Sequence, residues 1–539
     1  MPELFSHEEQ QKLKPFFSNT HKGIFVLKNL PEVIRGTLFS RYSRSPKSLR
    51  RLFLDEFQPE LPELQAVTEQ PTLTPEAVAK AEAFYDRVLG GFGDDSVAEL
   101  GGAHLALEGI SQIAAKVVED SRLGLSPLEK STRYVEFDKK DENGNYRYYR
   151  DPKIMSSPFA DEYVKTMNLL FDTYSGLIPK LNEHIVAKNK LEDFQFTLPT
   201  TKQVIKYSDI TDEKTRKDAS IAYKAAIRAK VCDTLRYLLP ASTLTNVGTY
   251  GNGRAYEYLL QKLYSHHIAE TRGLAREIHD ELNQTIPSFV KRATELPHLK
   301  ERYQRPGLVK KDLDYLVKLS DHDPEGQEKI IGGILFELGH CDYQKGIERA
   351  KKMTEEEKRK LLTSYIGTRS SRRAKPGRAF ENASIAFDVN ADFGAYRDLQ
   401  RHRILTQERQ LISCNQGYET PDELVEAGLD KPYHEAMTKA RELYDKLKDK
   451  MPYEAQYAVP LGYKLSYYMR FNLREAFHLI ELRTGKQGHP SYRRICIQMF
   501  HDLKKVYPLI AEHMNFVDLN DYKFARADSE LKTAMKTNK

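Results

Sequence analysis

The sequence predicts a helix-rich mixed α/β fold of the α+β type, with short mixed sheets, laid down as two degenerate copies along one chain. Three observations carry that expectation. Apolar residues recur at helical spacing through several long segments. Short β-branched or alternating runs lie between them as strand candidates. Finally, landmarks repeat: Asn252-Gly253-Arg254 and Asn472-Leu473-Arg474 each stand twelve residues after a proline, Pro240 and Pro460, and Pro287 and Pro508 close the next segment, at offsets of 220 and 221. A register held that far reads as an internal duplication.

In chain order, residues 23–27 are the first strand candidate and residues 72–89 the first long amphipathic helix. Residues 132–137 and 147–149 are further strand candidates. The charged, turn-rich stretch 138–200 reads as an inserted hairpin followed by helix. It accounts for the greater length of the first copy, because Phe380 to Ser384 lies against Ala98 to Gly102 at the larger offset of 282. Residues 220–239 are helical by periodicity. The polar, proline-containing stretch 296–327 belongs to neither copy and is the linker. The copies are therefore 1–295, with the insertion near 138–200, and 328–539. In the second, residues 433–450 repeat the helical pattern, and after Asn472 the positions Leu473, Ala476, Phe477 and Ile480 form a buried stripe. Asn472 and Arg483 project from nearly the same face of that helix, three turns apart. Tyr463, Tyr467 and Tyr468 are read as core.

The composition excludes several classes. At 40% hydrophobic and 30% charged residues, 539 residues make an ordinary globular chain of about three or four domain-sized units. Cys232, Cys341, Cys414 and Cys496 form no CxxC pair, which argues against a disulfide scaffold and for a reducing, cytoplasmic setting. No basic-then-apolar leader opens the chain and no apolar run is long enough for a membrane span. The net charge of +6 is too small to argue for nucleic-acid binding. Two basic stretches, RYSRSPKSLRRL (41–52) and GTRSSRRAKPGR (367–378), could each hold phosphate or be solvated loops. LGGFGDD (89–95) and GTYGNGR (248–254) break the GxGxxG spacing and read as turns. The histidines show no metal-ligand spacing, so no metal is expected.

The sharpest local feature is Arg401-His402-Arg403, with Arg397 one helical turn earlier. Guanidiniums gathered within a turn need an anion, either a phosphate-bearing ligand or acids such as Asp398 and Glu408. The triplet resembles the signature of the flavin-dependent thymidylate synthases. The resemblance extends to Phe380-Glu381-Asn382, where the family has Phe-Glu-His, and to Pro460, Asn472, Arg474, His478, Leu482 and Arg483 in the family's order and spacing. It implies that Arg401, His402, Arg403, Asn472, Arg474 and His478 contact FAD, and that Arg483 contacts the nucleotide and stabilises charge on its pyrimidine as the catalytic residue. Departures accompany the matches. The Glu-x-Ser-x-Arg stretch is missing after Arg403, the turn arginine is Gln456, and a substrate-contacting glutamine is Asp398.

The first copy resembles the same family with the opposite losses. Ser96-Val97-Ala98-Glu99 and Leu107 to Ser111 match the family's opening helix, and Glu129-Lys130-Ser131-Thr132-Arg133-Tyr134 matches its Glu-x-Ser-x-Arg-Tyr. Arg236 occupies the turn arginine, whereas the triplet is Asp120-Ser121-Arg122 and the terminal arginine is Leu263. The family draws each active site from more than one subunit. A composite site therefore follows, taking Arg401, His402, Arg403, Asp398 and Arg483 from the second copy and Glu129, Ser131, Arg133 and Arg236 from the first, with Ser131 and Arg133 on the substrate phosphate. The implied reaction is reductive methylation of dUMP to dTMP from methylenetetrahydrofolate, with FAD as hydride carrier and NADPH as reductant. The family being homotetrameric, a homodimer of this chain would be a pseudo-tetramer. Asp398 leaves room for another acceptor such as UMP, and a non-catalytic flavin-, nucleotide- or RNA-binding homologue is the remaining alternative.

Overall fold

The computed structural model describes residues 3–23, 25–42, 45–59, 97–303, 313–339 and 341–537. The elements that matter here run in chain order as β1 (Gly102–Ser111), α1 (Gln112–Glu119), β2 (Leu125–Glu129), α2 (Ala160–Lys188), β3 (Gln195–Thr197), β4 (Val204–Lys206), α3 (Glu213–Leu235), β5 (Leu244–Asn252), α4 (Gly253–Ser265) and α5 (Ala269–Asn283). They continue as β6 (Val317–His322), α6 (Gly326–Glu337), β7 (Ser384–Asp392), α7 (Phe393–Leu399), β8 (Thr406–Arg409), α8 (Asp430–Leu447), β9 (Lys464–Asn472), α9 (Leu473–Arg483), α10 (Pro490–Val506) and α11 (Ala527–Thr537). The predicted helix-rich mixed class is the one observed.

Two compact units divide the chain, one of residues 1–110, 114–129 and 245–305, the other of residues 111–113, 130–244 and 306–539. The division runs through the first copy: its residues 130–244 fold into the same unit as the whole second copy. In the first unit the sheet order is β1-β5-β2, and an apolar core is built from residues such as Leu107, Val118, Leu125, Leu259, Leu263 and Ile278. A separate cluster of Leu13, Phe16, Phe17, Leu52 and Phe53 gathers the N-terminal residues. The second unit holds β3-β4 and the sheet β6-β7-β9-β8, whose ladders are antiparallel. Its core is heavy in tyrosine, including Tyr174, Tyr396, Tyr433, Tyr457 and Tyr463.

The same local device recurs at three places where a strand turns into a helix. Asn252 accepts a hydrogen bond from the backbone N–H of Ala255 (2.8 Å), Asp392 from Ala395 (2.7 Å) and Asn472 from Glu475 (2.8 Å). Each side chain satisfies an N–H that the first helical turn leaves open. The predicted repeat is visible as contact too. Pro240 and Pro460, equivalent in the two copies, bridge antiparallel to one another, flanked by Ala241 N–H to Val459 carbonyl (2.8 Å) and Leu461 N–H to Leu239 carbonyl (2.9 Å).

Several expectations are corrected. Residues 132–137 form no strand, because their polar side chains are spent on other elements: Thr132 on Arg397, Arg133 on Asp233 and Glu136 on Arg228. Residues 147–149 contribute one isolated bridge, Tyr148 to Thr243, and residues 23–27 one, Leu27 to Phe17. The helix predicted over 72–89 and the motif at 89–95 lie outside the described residues. The insertion opens with a turn at Asp141, not a hairpin ladder, before α2. The stretch 296–327 carries a helix (Pro297–Tyr303) and β6. GTYGNGR is the end of β5 and the start of α4, not a turn. Tyr468 is outward-facing beside buried Tyr467, since neighbours on a strand point to opposite faces.

Candidate functional site

Helix α9 starts where β9 ends, and its first three turns present Glu475, His478 and Arg483 towards His402, which follows α7. His402 is buried. Arg483 donates from Nε to His402 Nε2 (2.9 Å), so that nitrogen is the acceptor and Nδ1 carries the proton, which is donated to Glu475 Oε1 (2.8 Å). The His478 ring stands 5.2 Å from that of His402. Burial pushes both imidazoles down, His478 to about 4, and Arg483 and Lys375 beside them act in the same direction. Burial pushes the Glu475 carboxyl up to about 7, against the pull of Lys375, Arg474 and Arg483. The imidazoles are therefore neutral donors and acceptors at neutral pH, while Glu475 titrates there.

The second basic stretch closes over this group. Arg369 anchors it, forming a buried fork with Glu481 (2.7 and 2.5 Å) and donating to the carbonyls of Ala374 (2.6 Å) and His513 (3.0 Å). Arg474 fastens its far end through the Pro376 carbonyl (2.9 Å) and Glu381 (3.3 Å). Between these anchors Arg372 and Lys375 are held where their charge acts on His478. His402, Glu475 and His478 place metal-ligand atoms within 4.8 Å of one another. With Arg483 on His402 Nε2 and two further cations nearby, the field suits an anion rather than a divalent cation. The first basic stretch behaves differently. Arg41 pairs with Glu56, Lys47 with Asp55 and Arg51 with Glu3 and Glu9, and Arg50 is buried over Phe25. Those cations are committed to structure.

Residues predicted from opposite copies meet in the second unit. Asp398 is buried, and although burial alone would raise its pKa, Arg236, Arg133, Arg401 and Arg483 together hold it well below the usual carboxylate range. Arg236 Nη1 stands 3.3 Å from Asp398 Oδ2, and Nη2 lies 3.8 Å from Asp392 Oδ1. The guanidinium is fully buried, yet its Nε and Nη2 make no hydrogen bond. It passes Gly394, where a Cβ would come within 3.0 Å of Nη2. Tyr492 stands between the copies' arginines, its ring centroid 5.8 Å from Arg133 Cζ and 5.5 Å from Arg483 Cζ.

The remaining expectations fare unevenly. Arg401 is exposed and Arg403 half-buried at the end of α7. Asn472 is the cap of α9. Ser131 accepts from the Arg133 N–H (3.2 Å), a local turn. Glu129 lies in the first unit, buried against Lys116 (2.8 Å). Arg133 is engaged by Asp233 through both carboxylate oxygens (2.9 and 3.0 Å). Sequence reading missed Glu475, Asp233, Tyr492 and Arg526, while Lys375 lay within the second basic stretch it had singled out. Asp233, one turn before Arg236 on α3, carried a signal; Arg526, in the C-terminal segment, carried none.

The family model described as "Thymidylate synthase complementing protein" matches residues 58–288 and again residues 319–509. The chain belongs to that family. The double match fits the tandem duplication, and the family is the flavin-dependent one to which Arg401-His402-Arg403 pointed. Among its relatives is a "UPF0159 protein" of Chlamydia pneumoniae, 42% identical over 550 residues, 98% of each chain. Another, of Thermoplasma acidophilum, is 34% identical over 519 residues, 93% of this chain and 99% of the relative. A solved structure, the UMP/dUMP methylase PolB from Streptomyces cacaoi bound with 5-Br dUMP, is 18% identical, covers 37% of this chain and 94% of its own, and superposes with a TM-score of 0.31. Among the described residues of this member of the thymidylate synthase complementing family, no helix is long and apolar enough to cross a membrane.

Proposed function

We propose that the protein is a flavin-dependent methyltransferase acting at C5 of a pyrimidine nucleotide, dUMP in the first instance, at a site assembled in the second unit from both copies. The observation that carries this reading is the convergence of Arg133 and Arg236 from the first copy with Arg401 and Arg483 from the second around the single carboxylate of Asp398. A buried guanidinium with two unmatched nitrogens, as in Arg236, calls for an anionic oxygen. The donor set around α9 fits a dinucleotide such as FAD: Arg372 and Lys375 for its phosphates, with Arg403 of the triplet as a further cation, and neutral His402 and His478 as uncharged hydrogen-bonding partners. When bound, reduced FAD supplies the hydride, and methylenetetrahydrofolate and NADPH complete the reaction as carbon donor and reductant.

The chain's own residues supply orientation, charge and a proton site. Glu475 fixes the His402 tautomer. His402 Nε2 then holds the Arg483 guanidinium by its Nε, leaving its terminal nitrogens to polarise a pyrimidine carbonyl as charge develops. The Glu475 carboxyl, titrating near neutrality, can hold or release a proton at Oε2, the oxygen that does not accept from His402, without a large free-energy penalty. The Tyr492 ring lies beside both arginines. A homodimer of the chain would reproduce four family copies.

The test begins with the visible spectrum of the purified protein. A single FAD per chain, abolished by Arg403→Ala and retained in Arg122→Ala, supports the reading, and methylation assayed with dUMP and UMP in parallel then names the acceptor. UMP is the second reading because Asp398, in place of the family's glutamine, is committed to Arg236. Absence of flavin after incubation with excess FAD overturns both.

A further inference from the structure

Two guanidiniums share one carboxylate in the second unit. Arg133 donates from Nε and Nη2 to the two oxygens of Asp233 (2.9 and 3.0 Å), and Arg526 places Nη2 3.2 and 3.0 Å from the same pair. Neither arginine is loose. Arg526 donates from Nη1 to the Arg133 carbonyl (3.1 Å) and lies 4.4 Å over the Tyr134 ring, so the C-terminal segment clamps the stretch that carries Arg133. The ion triplet lines a cavity of about 810 Å³, whose wall includes His489 and Ser491 at the N-terminus of α10. Elsewhere on the lining Lys230 pairs with Glu423 and Arg494 with Glu419 (3.7 Å), and Asp422, Asp521, Arg493 and Lys523 add charges of both signs in equal number. Within the triplet two cations face one anion, and the amide dipoles of a 17-residue helix add to the positive side.

We propose that Asp233 is a specificity-determining residue of this cavity: its carboxylate sits between Arg133 and Arg526 in the seat that an oxyanion of the ligand would take, and a phosphomonoester binds only by displacing it. The proposal rests on the reading of Arg133 as a substrate ligand. Paired guanidinium forks present the same planar donors to a carboxylate as to a phosphate, so both compete for one set of N–H groups. Asp233 cannot leave by taking a proton. Burial would raise its pKa, but Arg133, His489 and Arg526 outweigh it and hold the group ionised across the physiological range. With Asp233 in place the triplet keeps one positive charge, which matches a monoanion and undercompensates a dianion. Asp233 thereby lowers the affinity for a phosphomonoester dianion such as that of dUMP without excluding it, because seating the phosphate gives up the ion pairs to Arg133 and Arg526.

Equilibrium dialysis against the full chain decides the matter, with orthophosphate, dUMP, UMP, deoxyuridine and uridine as probes. Asp233→Asn keeps the shape and removes the charge. It should raise affinity for orthophosphate and both nucleotides at least tenfold and leave the nucleosides unchanged. Asp233→Ser removes the charge by a different side chain and must give the same rise; either variant, once its circular dichroism matches the parent's, is sufficient. Phosphate and nucleotide affinity that is unchanged or lower in a folded variant overturns the proposal. A gain for orthophosphate with no binding of any pyrimidine by parent or variant upholds the seat and overturns the substrate reading instead.

Discussion

The same strand-to-helix frame was built twice and filled with opposite chemistry. In the second copy α7 leads into Arg401-His402-Arg403, and α9 carries Glu475, His478 and Arg483 beside it. In the first copy α1 leads into Asp120-Ser121-Arg122, and the face of α4 equivalent to Arg483 carries Leu263, fully buried in the apolar core. There Lys116 is buried between Glu119 and Glu129, whereas the second unit gathers guanidiniums around Asp398. One frame has been closed by hydrophobic packing and an internal ion cluster, the other left with more cations than it can pair. The lesson is that backbone similarity between repeats says little about ligand binding. On the function proposed above, the charge balance at two or three equivalent positions decides it.

The largest effect that would sharpen this contrast is on stability, in the first copy. Lys116→Ala leaves two buried carboxylates facing each other and should cost about 3–5 kcal/mol. A drop in melting temperature, with flavin per folded chain unchanged, is the expected pattern; loss of flavin would break the division of labour. In the second copy, Arg483→Ala should lower methyl transfer by about 10²- to 10³-fold, while the protein unfolds at nearly the parent temperature. Steady-state kinetics with dUMP provide the check.

A third prediction concerns pH. The Glu475 pKa is raised from the ordinary 4.5 to about 7, so the folded state carries a penalty that is absent below pH 4.5, grows through that window and is complete above about pH 7. Glu475→Gln removes it. The variant should be more stable than the parent by on the order of 2–3 kcal/mol at pH 8, and the advantage should vanish near pH 4.5. Denaturant melts at both pH values test the sign, and an advantage at low pH would refute the assignment. The smallest effect should be shared: Asn252→Ala and Asn472→Ala each remove one helix cap and should each cost about 1 kcal/mol. Only Asn472→Ala should also weaken flavin binding. Equal flavin binding in both variants would leave Asn472 with its capping role alone.

Much of this was legible in the sequence, and the remainder has physical reasons for being hidden. Periodicity located α3, α8 and α9, because a helix buried on one face must repeat its apolar residues every three or four positions. The complementary losses, Arg236 against Gln456 and Arg483 against Leu263, were readable because a guanidinium and an uncharged side chain make different demands on their surroundings. Residues 132–137 misled, since their β-branched and aromatic content speaks for a strand while Arg133 and Thr132 bond across the fold. Their partners are 100 and 265 residues away, beyond any local pattern. Glu475 reads as an ordinary first-turn acid of α9, and only the folded chain shows His402 across from it. Arg526 reads as one more surface arginine in the tail. The family signature pointed to the arginines, and the structure found the acids that restrain them.

The antiparallel bridge between Pro240 and Pro460 joins two turns that began as copies of one another. In an assembly of identical chains any substitution appears on both sides of such a seam, so a charge placed there must tolerate its own mirror image. Joining the copies covalently lifts that constraint. It keeps the partner permanently at high effective concentration, and a mutation then changes one side only. Arg236 can face a seam whose other turn carries Gln456, and neither residue has to answer for the other's position. Duplication gave this chain the freedom to be asymmetric.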